Sequence, residues 1–160
     1  MRTDAWLREQ LDQLLRGPFS DMTVANRLTV HFGRRAGRRF GSILMTRDKR
    51  ESRITINGHF RDETVPEAIV QATLAHELSH YAHGFSSPLP KKYKSPHAGG
   101  VILREFKKRG LEMLYHYEKQ WSKSHWGEYL KAHMEPRAYR SLSRRPAATG
   151  LLQLLRHFEW

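Results

Sequence analysis

The stretch "TLAHELSHYAHGF", Thr73 to Phe85, restricts the possible folds of this chain more than any other segment. It sets His76, Glu77, His80 and His83 among apolar residues at helical spacing, with Leu74 and Leu78 on the stripe such a helix buries. Histidines four apart stand one above the other on a helix, so the imidazoles of His76 and His80 can converge on one ion. Glu77 projects about 100° round the helix from His76 at ~3.6 residues per turn, too far to join the same chelate but within reach of a water held there. Two neutral imidazoles with a carboxylate beside a bound water form the donor pattern of a zinc hydrolase. The fold must then bring a third ligand to this helix and leave one coordination position open.

Several residues compete for that third place. His83 lies on nearly the same face as His76 but about 10 Å further along the axis at ~1.5 Å per residue, so it is expected to be an outer contact or a polar residue at the helix end. The metzincin arrangement needs Gly three residues after the second His, whereas here that position is His83 and Gly84 comes one later. His97 follows the loop "FSSPLPKKYKSP" and opens a new helical pattern, which makes it the better candidate. Glu105 and Glu112, further along, are the carboxylate alternatives.

The rest of the chain sets the class. Its 160 residues suit a single domain, expected over 1–160, and no apolar run approaches the ~18 residues of a membrane span. With no cysteine, thiolate ligands, disulfides and thiol nucleophiles are excluded, so a metal must rest on His and carboxylate. The N-terminal "MRTDAWLREQLDQLLRG" interleaves charge with apolar positions unlike a secretory signal, and a cytoplasmic location is expected, nuclear or DNA-associated in a eukaryotic source. The formal charge of +12 favours polyanionic partners.

The expected order is α+β. Ala5 to Arg16 reads as a helix capped by Asp4 and stopped at Gly17-Pro18, and three short strands fall between Arg27 and Phe60, with "TRDKRES" as a hairpin turn. Asp62 and Thr64 offer caps for the motif helix, which should end near Gly84. A second ligand-bearing helix closes at Gly110, and the region 112–160 reads as a helical C-terminal extension with "TGLLQLLRHFEW" as a last helix.

The run "GRRAGRRFGSILMTRDKRESRITINGHFRDETVPEAIVQATLAHELSH" followed by "SPHAGGVILREFKKRGL" resembles the SprT-like (SprT/Spartan) metallopeptidase domain over about 28–111. The resemblance implies a zincin-like domain in which a small sheet precedes the HExxH helix. It also implies Zn2+ on His76, His80 and His97, with Glu77 as the catalytic base. Ala98 stands where that family usually has Gly, and the loop before His97 is long and basic. The activity implied is peptide-bond hydrolysis by a monomer, with a protein substrate and DNA, single-stranded or crosslinked, as partners.

Zinc peptidases of this kind commonly bind substrate as an added strand, for which "SRITINGHF" is the expected sheet edge. His83, Tyr93 and Tyr81 are candidates to help stabilise the oxyanion. Arg34, Arg35, Arg38, Arg39, Lys91, Lys92, Lys94, Arg144 and Arg145 are candidate phosphate contacts, and Trp121 and Trp126 are candidate platforms for unpaired bases. A different class of reading is a basic nucleic-acid-binding protein whose metal is structural and whose Glu77 turns over nothing.

Overall fold

The structure is a computed structural model, and it describes residues 1–143. Arg144, Arg145 and the expected last helix "TGLLQLLRHFEW" lie outside the described residues.

Helix α1 covers Asp4–Arg16 and buries Leu7, Leu11 and Leu14, the positions its apolar period dictates. Its cap is Thr3, whose hydroxyl accepts from Trp6 N, and not Asp4 as expected. The Asp4 carboxylate instead accepts from Phe32 N and the Arg61 guanidinium, tying the helix to the sheet. Three strands follow: β1 at Arg27–Phe32, β2 at Gly41–Met45 and β3 at Glu51–Ile56. The β2–β3 turn is the expected polar hairpin, closed by Asp48 accepting from the Thr46 hydroxyl and Arg50 N.

The strand order is β1-β3-β2, with β3 parallel to β1 and antiparallel to β2. The "SRITI" segment is therefore the central strand, which overturns its expected place at the sheet edge. Its composition explains the difference: Ser52, Ile54 and Ile56 face a fully buried layer, and a strand paired on both sides is where such residues pack best. The other face carries the exposed or half-buried Thr29, Glu51, Arg53 and Leu44, so the sheet is covered on one side only.

Against the buried face α1 packs on β1, and α2, Glu67–Ala82, packs on β2 and β3. The start of α2 has Pro66 at its cap position with no side-chain hydrogen bond; Asp62 closes a turn on Thr64 N instead of capping the helix. It ends as expected, with His83 at the C-cap and Gly84 in the left-handed region at φ 80°. Helices α3 (Val101–Lys108) and α4 (Glu112–Ser124) pack on α2, and α5 (Trp126–His133) and α6 (Pro136–Ser143) continue the chain. Trp121, Trp126 and Leu130 join the same core cluster as Ile54 and Leu78. Helices α4 and α5 thus contribute to the core.

A buried histidine sits in this core away from the motif. His59, in the 3-10 turn Gly58–Arg61, is 1% exposed, neither ring nitrogen has a hydrogen-bond partner, and its ring meets Trp126 and Tyr129 edge-on at 5.7 and 5.6 Å. Burial, reinforced by Arg35 and His133 and opposed by Asp62, lowers its pKa to about 4. The unfolded chain takes up this proton near pH ~6.5 while the folded chain refuses it until about 4. The associated stability is complete above pH ~6.5 and is lost on acidification toward pH 4. A loss of about 2 kcal/mol between pH 7 and 5 is expected from this residue alone. Urea midpoints of wild type and His59→Phe at the two pH values check it, the variant showing the smaller fall.

Candidate metal centre

His76 and His80 occupy successive turns of α2, and His97 arrives at the end of the loop that follows Gly84. The Nε2 atoms of His76 and His80 are 3.0 Å apart, and His97 Nε2 is 3.0 Å from His80 Nε2. One ligand atom from each ring lies within 4.8 Å of the others, so the three histidines can hold a metal ion. Ligands at ~2.0–2.1 Å from a tetrahedral zinc stand ~3.3 Å from one another, close to the spacing seen.

The chemistry of the donors fits as well. His80 Nε2 faces two other ring nitrogens at once, and one ring proton can satisfy only one such contact, whereas a cation at the common point satisfies all three lone pairs. Burial, with His97 and His83 adding to it, pushes His80 down to about 3, and burial together with His80, Lys119 and His97 lowers His76 well below the ordinary range. Both effects favour the neutral imidazoles that a metal requires.

Glu77 is 2% exposed, and burial raises its carboxyl to about 8 against the opposing charge of Arg39. A dication beside it would pull this value down. The first residue of β2 explains how the carboxylate fits. A Cβ on Gly41 would lie 2.7 Å from Thr73 Cγ2 and 3.0 Å from Glu77 Oε1, so only glycine leaves room for the carboxylate between α2 and β2.

The other candidates divide clearly. His83 is fully buried and its Nε2 donates to Glu105 Oε2 at 3.0 Å, which commits both residues to each other. Glu112 pairs with Lys107 and His116 on the surface. Tyr81 cannot serve an oxyanion: its hydroxyl accepts from Ala25 N and donates to Asn26 Oδ1, so it braces the approach to β1. Tyr93 rests edge-on against His83 at 4.8 Å.

Trp121 and Trp126 are not base platforms. They are 8% and 2% exposed, pack on Phe40 and each other, and Trp126 Nε1 donates to Gly37 O. Each large aromatic carries a large apolar area, and the core cluster here takes both of these up.

Arg34, Arg35, Arg38 and Arg39 are all exposed, on a loop pinned by the Asn57 side chain, which accepts from Ala36 N and donates to Ala36 O and Arg39 O. Lys91, Lys92 and Lys94 are exposed as well, with the Lys91 ammonium 5.5 Å from the Phe85 ring, itself edge-on to His80 at 6.4 Å. Sequence reasoning missed Arg39 and Lys119 as charges felt at the centre, because nothing in their spacing links them to α2. It also missed the packing of Gly41 on Glu77, for which a lone glycine opening a strand was the available signal.

Comparison with protein-family models, curated proteins and solved structures yields no match. Among the described residues, no helix is long and apolar enough to cross a membrane.

Proposed function

We propose that the protein is a zinc-dependent metallopeptidase with a zincin-like fold, similar to the SprT-like domain, acting on proteins bound or crosslinked to DNA. The observation that carries this reading is the convergence of three imidazole nitrogens beside a buried glutamate that follows the first of them in the chain. Zinc held by His76, His80 and His97 supplies Lewis acidity toward the scissile carbonyl and the attacking water. Glu77, fixed between α2 and Gly41, takes the water's proton on its carboxylate and delivers it to the leaving amine.

Substrate orientation falls to β2. Among the described residues this strand pairs only with β3, and its first residue touches Glu77, so a peptide added along its free edge passes the centre. The exposed arginines of the Asn57-pinned loop lie just ahead of β2 and supply phosphate contacts for DNA near that edge.

The same exposed arginines also suit the second reading, a basic nucleic-acid-binding protein with a structural metal. Metal removal separates the two. Cleavage of a fluorescent unfolded-protein substrate, with and without single-stranded DNA, is expected to stop on chelation and return with stoichiometric zinc. A wild-type protein that holds zinc tightly yet cleaves nothing under any DNA condition would support the binding module.

A further inference from the structure

His97 is separated from α3 by a single turn containing Gly99 and Gly100, both exposed and both at φ 69°. A Cβ on Gly99 would meet nothing within 4 Å, so this joint is held by little packing of its own. Its tie to the helix is Arg104, whose guanidinium donates to Gly99 O. The placement of His97 over α2 therefore depends on how α3 itself is seated.

Two kinds of contact seat it. Val101, Ile102 and Phe106 bury apolar surface, which attracts without fixing direction. Glu105 adds direction: one carboxylate oxygen accepts from His83 Nε2 at 3.0 Å, and the other accepts from Arg109 at 2.8 Å to Nε and 2.7 Å to the second guanidinium nitrogen. Arg109 continues the chain of contacts to Pro18 O at 2.7 Å and to Asp21, with its guanidinium carbon 4.0 Å from the centre of the Phe19 ring. The side chains of His83, Glu105 and Arg109 are 0%, 7% and 4% exposed. The carboxylate thus joins the C-cap residue of the motif helix, the helix behind the third histidine and, through Arg109, the turn after α1. Buried ionic contacts are specific in geometry, and removing one member leaves its partners uncompensated.

We propose that Glu105 is a positioning residue for the metal centre: by bridging His83 and Arg109 it locks α3 to the end of α2 and so sets the reach of His97 toward His76 and His80. This rests on the three-histidine reading of the site. Glu105 touches neither the metal nor substrate.

The test uses the full chain with zinc alone and with Co(II) as a spectroscopic substitute. Glu105→Gln keeps the size of the side chain but presents an amide that cannot accept from both His83 and Arg109. It is expected to weaken zinc binding about 10- to 100-fold in chelator competition, the range for contacts that orient ligands. Its Co(II) absorption bands should also change in position and intensity as His97 withdraws, at a temperature where its far-ultraviolet circular dichroism matches wild type. Thr3→Ala, which removes the cap of α1, lowers stability without touching α3 and is expected to change neither reading. If Glu105→Gln does not fold, Glu105→Asp is read the same way, since it keeps the charge and retracts the carboxylate by one methylene. Wild-type zinc affinity and Co(II) spectrum in a folded Glu105 variant overturn the proposal alone, whereas a wild-type chain that binds neither ion overturns the metal reading and the proposal together.

Discussion

Glu77→Gln is expected to retain its metal and its fold while losing about 10²- to 10⁴-fold of peptide hydrolysis, the contribution of a positioned general base. The size of the effect follows from what the substitution spares. Gln fills the space of Glu beside Gly41, where the missing Cβ leaves room for either side chain, and no ligand atom changes. What disappears is an ionisable group able to accept a proton from water and release it to the amine. Single-turnover cleavage measured beside zinc content settles the matter. A variant that cleaves at the wild-type rate would remove Glu77 from the chemistry, and one that loses zinc would show that the substitution disturbed the site itself.

His97→Ala is expected to weaken zinc binding by more than about 100-fold, beyond the range for a contact that merely orients a ligand, because one donor of three is deleted outright. The fold should tolerate it, since His97 is only half-buried at a turn preceding two exposed glycines. Two imidazoles on successive helical turns remain, so residual weak binding is expected rather than none. Chelator competition measures the change, and an affinity equal to wild type would place the third ligand elsewhere.

The local parts of the molecule were the legible ones. An apolar period marked α1, the apolar run after Pro66 marked α2, alternation marked the strands, and the four-residue spacing of His76 and His80 determined their convergence without any knowledge of the fold. Non-local facts were not available in the same way. Nothing in "SRITI" says that the strand two elements earlier will pair with it in parallel, which is why its central position escaped notice. Alternation reports which face is buried, but not how many neighbours a strand has. The misreading of Trp121 and Trp126 has the same origin, because an aromatic beside a lysine looks like a platform until the core that claims it is assembled. Thr3 took the cap from Asp4 because the aspartate found a better donor in β1, a partner 28 residues away.

The three imidazoles are unevenly spaced along the chain, and they do not meet at equal cost. His76 and His80 come together as soon as α2 coils, but His97 must be carried back over a 17-residue separation. That return costs chain entropy which the pairing of two rings on one helix does not. A chain with α2 formed and His97 not yet returned would offer an ion two rings, not three. On the three-histidine reading, an ion would be gripped by all three rings only after that return, as a seal on a folded molecule rather than a seed for an unfolded one.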